Sequence, residues 1–207
     1  MADLVSGRYP QQHAFQGPVF GLASNATQSN VPVRSNAEYL GLASAADGAA
    51  LVTNKIIVVP VPVDIGVTYS KVTFVAGATA PTVTINYAAV YSGQPTAASA
   101  TLLAQSTNAG SSAPTASQAN TYTLATPVTA TATNAPYGYW YVGIQGTGTV
   151  NSALSVSVAA AVDVFQTAVY TTAPFALAAS VAATTGTAPS TLASPTTVTV
   201  TPIVALS

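Results

Sequence analysis

Beyond Lys71 the chain carries a single acidic or basic side chain, Asp163. Glu, Lys and Arg are among the better helix formers, and their absence leaves Ala, Thr, Val and Ser to decide the local structure. Thr and Val favour a pleated, half-buried surface. In the whole 207-residue sequence, charged residues amount to 4%, against about 25% in an ordinary soluble domain. A surface of this kind is wetted by hydroxyls and amides. The formal net charge of -1 gives little colloidal repulsion, so the chain is expected to work in an assembly, as a homo-oligomer.

From Lys55 onward, β-branched runs separated by turn residues read as about eight short strands. "KIIVVPVPV" carries Pro60 and Pro62, which lack ladder donors, and is expected at a sheet edge or where a strand enters a sheet. In "VTYSKVTFVA", alternation puts Val72 and Phe74 on one face and Tyr69, Lys71 and Thr73 on the other. In "TVTINYAAVY" it groups Val83, Ile85, Tyr87, Ala89 and Tyr91. "ATLLAQS", "NTYTLATP", "YGYWYVGIQ", "ALSVSVAAAVDVF" and "PTTVTVTPIVAL" complete the series. The pattern predicts an all-β fold, an antiparallel β-sandwich of jelly-roll or immunoglobulin-like type over residues 55–207. The stretch 172–194 reads as a long loop before the last strand.

Residues 1–54 lack a sustained helical or strand period and read as an extended attachment arm. Its candidate assembly contacts are Tyr9, Phe15, Phe20, Arg34 and Tyr39, with Val31 as a further anchor. Gly-Leu-Ala-Ser occurs at Gly21 and again at Gly41, twenty residues on, which would let the arm touch two equivalent surfaces. A short helix is expected after Ser35 or Asn36 as its cap, with Glu38 in the first turn. Arg8, Arg34 and Glu38 are candidates for ion pairs across a subunit boundary. Asp64 in "PVDIG" is expected to form an Asx turn, and Asp163 to lie at a strand edge that it protects from association.

Four large aromatics arrive together at Tyr137, Tyr139, Trp140 and Tyr141. Strand alternation sends Trp140, Val142 and Ile144 into the core and Tyr137, Tyr139 and Tyr141 to the opposite face. That tyrosine face is a candidate interface with a neighbouring subunit, simple packing, or a platform for a glycan. Subunit contact or packing is favoured, because no Asp, Asn or Arg flanks the rings to fix sugar hydroxyls.

Catalysis is disfavoured by what the chain can supply. His13 is the one histidine and lacks an orienting acid, so a hydrolytic triad is not expected. Paired carboxylates for glycoside hydrolysis and clustered ones for calcium or magnesium are missing from the sequence pattern. No phosphate-binding or dinucleotide glycine motif appears. Cys is absent, which removes disulfides and thiolate chemistry. No basic stripe suits nucleic acid, and no apolar run suits a signal peptide or membrane span. The expectation is a protein that is not an enzyme, has no cofactor or metal, binds neither nucleic acid nor membrane, and is made in the cytoplasm.

The strings "VPVDIGVTYSKVTFVAGATA", "INYAAVYSG", "LLAQST" and "TYTLATPVTATATNAPYGYWYVGIQ" resemble a module of small structural proteins of tailed phages, particularly those of actinobacteria, of the minor tail or virion type. The resemblance spans roughly Val59 to Val158, about half the chain. It implies a β-sandwich displayed on a virion, oligomeric, commonly as a trimer, and non-enzymatic, in contact with capsid or tail subunits and assembled in the host cytoplasm. A capsid decoration or head-fibre protein held by its arm is the first expectation. A minor tail or tail-fibre protein touching the host is the second, and a cell-wall hydrolase the third. The resemblance transfers no functional residue.

Overall fold

A computed structural model describes residues 33–36, 45–47, 54–76, 84–93, 100–107, 114–147, 154–156, 179–183, 186–197 and 201–207. The described elements are thirteen strands: β1 (Arg34–Ser35), β2 (Ala45–Asp47), β3 (Lys55–Pro62), β4 (Thr68–Val75), β5 (Thr84–Tyr91), β6 (Leu102–Gln105), β7 (Ala119–Thr129), β8 (Tyr139–Thr147), β9 (Leu154–Val156), β10 (Ala179–Ala182), β11 (Thr196–Thr197), β12 (Thr201–Pro202) and β13 (Val204–Leu206). Every described pairing is antiparallel. The fold is an all-β sandwich, as the strand pattern predicts.

A four-stranded sheet, ordered β1-β13-β4-β7, packs against a six-stranded sheet, ordered β11-β10-β3-β8-β5-β6, and β12-β9-β2 form a small third sheet. Alternation along each strand fills the space between the two large sheets. Ile57, Val59 and Val61 of β3, Ala88 and Val90 of β5, and Trp140, Val142 and Ile144 of β8 meet Val72, Phe74 and Leu206 of the opposite sheet. Phe74 stacks on Tyr122 with ring centroids 5.6 Å apart. A bridge between Ser106 and Leu124 joins the edges of the two sheets along one side.

The tyrosines of β5 also follow the sequence period: Tyr87, Ala89 and Tyr91 share the other face of the sheet. Val83 lies outside the described residues. The expected separation of Tyr69 from Val72 and Phe74 is corrected, because all three are buried in one core. The N–H groups of Ser70 and Lys71 both donate to the Ser207 carbonyl, at 2.8 and 2.9 Å. Two residues therefore oppose one, and this bulge shifts the alternation by one place.

The edge expected for "KIIVVPVPV" is also corrected. β3 lies inside the six-stranded sheet, between β10 and β8. The Val63 N–H bonds Gly138 on the β8 side, whereas the Asn54 carbonyl accepts from Ala183 on the β10 side. Alternation then turns Pro60 and Pro62 toward the β10 side, where the described pairing reaches only as far as Val58–Ala179. A central strand tolerates the prolines because its missing donors face no described partner strand.

The stretch expected as a long loop, 172–194, contains β10, and its Ala188 and Leu192 are buried over the second face of the six-stranded sheet. "PTTVTVTPIVAL" is not one strand. Its residues form β11, β12 and β13, one in each sheet. Of the stretch read as a short helix after Ser35, Ala45–Asp47 is a strand paired with β9, and residues 37–44 lie outside the described residues. β1 and β2 both precede residue 54 yet pair with strands beyond it.

Candidate functional site

Two places gather the side chains singled out in the sequence: the aromatic cluster around β8 and the root of the N-terminal segment. The first is built on a turn. Asn134 Oδ1 accepts from the Thr131 N–H at 2.9 Å, and its Nδ2 donates to the Thr129 carbonyl at 2.9 Å. The same Oδ1 accepts from Trp140 Nε1 at 3.2 Å. The indole is fully buried and meets Tyr69 edge-on, with centroids 5.6 Å apart. Trp140 is the centre of the fold, as its position on the strand implies.

The tyrosines step from solvent to interior. Tyr137 is 59% exposed, Tyr139 is half-buried and Tyr141 is buried. Tyr137 and Tyr139 stack with centroids 6.3 Å apart; Tyr139 meets Tyr141 edge-on at 5.3 Å, and their hydroxyls lie 3.2 Å apart. Tyr141 joins Ile56, Val58, Tyr87, Tyr91 and Leu192 in a second core on the outer face of the six-stranded sheet. That core has a lid of backbone held by directed bonds. Leu102 N–H donates to the Ser190 carbonyl at 2.9 Å, and Ala188 N–H donates to Gln105 Oε1 at 2.8 Å. Of the three rings considered for a ligand face, Tyr137 alone is open to a partner.

Burial governs the phenols of this layer. It pushes Tyr87 up to about 12. Tyr91 is raised by burial first and by the neighbouring Tyr87 second, and its buried hydroxyl has no hydrogen-bond partner. In the inter-sheet core, burial also pushes Tyr122 up to about 12. A raised phenol favours the protonated folded state, so its contribution is complete below the ordinary value of 10.0 and is lost as pH rises toward 12. Alkaline titration followed by phenolate absorbance and circular dichroism should show these phenols ionising together with loss of the fold. Simple titration of every tyrosine near the ordinary value, with the fold intact, would contradict the second core. Tyr91→Phe removes the unpartnered hydroxyl and is expected to leave stability unchanged or raise it by up to about 1 kcal/mol.

The second place is Arg34–Asn36. Arg34 makes a two-point contact with Asp64, with Nε donating to Oδ2 at 2.7 Å and an η nitrogen to Oδ1. Arg34 thus has a partner within its own chain. Asp64 does not use its carboxylate for an Asx turn. Its carbonyl accepts from the Val67 N–H at 3.0 Å, closing the turn through the backbone. The hydrogen bond from Arg34 holds the Asp64 carboxyl below its ordinary value of 3.8. That contribution is present above 3.8 and is lost as pH falls through the lower folded value.

The side chains of Ser35 and Asn36, read in the sequence as helix caps, reach to the C-terminal strands. Ser35 Oγ donates to the Val204 carbonyl at 2.9 Å. Buried Asn36 spans the break between β12 and β13: its Nδ2 donates to the Pro202 carbonyl at 2.8 Å, and its Oδ1 accepts from the Val204 N–H at 2.8 Å. The amide has both a donor and an acceptor, so it serves the two backbone groups as another strand would. Its partners are more than 160 residues away, and no local sequence signal marks it.

Tyr9, Phe15, Phe20 and Tyr39 lie outside the described residues, as do His13, Glu38 and Asp163. Among the described residues, no group of three His, Cys, Asp or Glu side chains could hold a metal, and no helix is long and apolar enough to cross a membrane. The two places offer packing, tethering and one exposed aromatic ring. No protein-family model and no curated protein sequence matches the chain.

Proposed function

We propose that the chain is a non-enzymatic structural protein of a tailed-phage virion, an oligomeric capsid decoration or head-fibre protein that is attached through its N-terminal part and displays the sandwich outward. The observation that carries this reading is the fastening of Arg34–Asn36. Residues before Val33 join the sandwich at a point bonded to Asp64, Pro202 and Val204. Tension on that segment is therefore passed into the body of the fold, as an attachment element requires. The exposed surface of the four-stranded sheet fits a protein packed among others. It carries hydroxyl pairs, Thr68–Thr129 at 2.7 Å and Thr73–Thr121 at 2.8 Å, with Lys71 as the exposed charge between them, so little charge opposes neighbouring copies.

A second reading, a minor tail or tail-fibre protein contacting the host, is favoured by the exposed Tyr137 ring alone. Gold-labelled antibody against the chain, applied to intact phage particles and viewed by negative-stain microscopy, separates the two. Gold over the head is expected. Gold confined to the tail would replace the first reading by the second, and particles without label would remove both.

A further inference from the structure

We propose that the end of the sandwich bearing Val33, Ile65 and Tyr137 is the surface through which one copy of the chain docks on a second copy. This deepens the oligomeric reading above and rests on it. Among the described residues, these are the large apolar side chains left open to solvent, at 50%, 56% and 59% exposure. They lie on segments brought to the same end. Val33 precedes Arg34, whose guanidinium holds Asp64, the neighbour of Ile65. Tyr137 precedes Gly138, whose carbonyl accepts the Val63 N–H at 2.9 Å. Single exposed apolar residues are ordinary, but a group of them gathered at one end marks a contact surface.

The surface is fixed before any partner arrives. The β3–β4 turn is tied to the β7–β8 connection by the Gly66 N–H to Ala130 carbonyl bond, at 2.8 Å, and by the return bond from the Ala130 N–H to Val67, also 2.8 Å. Tyr137 is braced by its stack on Tyr139. Docking then costs little ordering of loops or rings. Exposed Thr131, Thr133 and Pro136 border the group, giving an uncharged rim around an aromatic and aliphatic centre.

Charge selects the occupant. A surface that meets its own copy about a two-fold axis places like against like, so a net charge there would oppose docking. Among the described residues at this end the charges are Arg34 and Asp64, which pair within one chain, so they give self-contact no such opposition. The thirty-two residues that precede Val33 also join the sandwich here, so docking would bring the attachment segments of two copies together and add their affinities.

The test uses the full chain in sedimentation velocity, comparing the natural sequence with Ile65→Asp, Tyr137→Asp, the milder Tyr137→Ser, and Thr187→Asp, an exposed position beside the buried Ala188. Circular dichroism and Trp140 fluorescence check that each variant is folded. The natural chain is expected to be oligomeric, and the Asp substitutions at Ile65 and Tyr137 to weaken association roughly thirtyfold or more, as central contact residues do. Tyr137→Ser should weaken it in the same direction, and Thr187→Asp should leave it unchanged. An oligomer indifferent to the Ile65 and Tyr137 variants would overturn this surface while leaving the oligomeric reading intact. Equal loss in Thr187→Asp would overturn it too, since added charge anywhere would then suffice. A monomeric natural chain would overturn both.

Discussion

Gly93→Ala is expected to destabilise the fold by roughly 3 kcal/mol or more, at or beyond the upper end of what overpacking a well-filled site costs. Gly93 follows β5, and its N–H donates to the Asn134 carbonyl at 2.8 Å. A Cβ on this residue would intrude on the Tyr139 carbonyl oxygen and lie 2.9 Å from the carbonyl carbon. Those atoms are backbone and have no rotamer by which to withdraw. Relief requires moving the first residue of β8, and with it the bond that positions Trp140 over Asn134. Gly143→Ala is the instructive comparison. There a Cβ would meet Ile56 Cδ1 at 2.5 Å, Ile56 Cγ1 at 2.8 Å and Val58 Cγ1 at 2.9 Å, atoms of buried β-branched side chains that shift less readily than exposed ones but more readily than backbone, so a smaller loss of about 1–3 kcal/mol is expected. Urea unfolding followed by the single tryptophan measures both. A Gly93→Ala protein as stable as the natural chain would show that the β5 and β8 ends do not approach so closely.

That close approach could not be read from "YSGQP", and the reason is general to this fold. Local alternation was legible wherever a strand keeps its pleat. In β8 it places Trp140 and Tyr141 on opposite faces, and in β5 it groups Tyr87, Ala89 and Tyr91, as the structure has them. The period fails where a partner strand imposes an extra residue. Tyr69 is displaced by the bulge at Ser70 and Lys71, whose two donors share one carbonyl of the C-terminal residue, and nothing within "VTYSKVTFVA" encodes that partner. Pro60 and Pro62 were misleading for a related reason, since their cost depends on where the neighbouring strand stops. The tyrosine face was legible as a face, but its cover was not. Leu192 reaches it from a stretch rich in Ala, Thr and Ser, where a single leucine gives no period. Asn36 was hidden most completely, because an asparagine among polar neighbours reads first as a cap or a turn.

Asn36→Ala is expected to lower stability by about 2–4 kcal/mol, because truncation leaves two buried backbone groups, the Pro202 carbonyl and the Val204 N–H, without the amide that pairs them, at about 1–3 kcal/mol each. Asn36→Asp tests the polarity of the argument. The carboxylate can still accept from Val204, but it cannot donate to Pro202, so the near-isosteric change should also be costly. Arg34→Ala should behave differently. The Arg34 and Asp64 side chains are 29% and 34% exposed, and an ion pair open to water contributes only about 0–1 kcal/mol. The order of effects, Asn36 well above Arg34, would locate the fastening of the N-terminal segment in the amide. It also sets where that segment can be cut. Removing residues 1–32 keeps β1 and Asn36 and should leave the sandwich as stable as the full chain, whereas removing residues 1–54 takes away β1, β2 and the amide together and should destabilise it by at least as much as Asn36→Ala. Chemical denaturation of the two truncated chains decides the matter: equal stability would show that the C-terminal strand is held without Asn36. Under the proposed function, the shorter deletion is then the clean test of attachment, because it removes the segment before Val33 while preserving the fold that the segment holds.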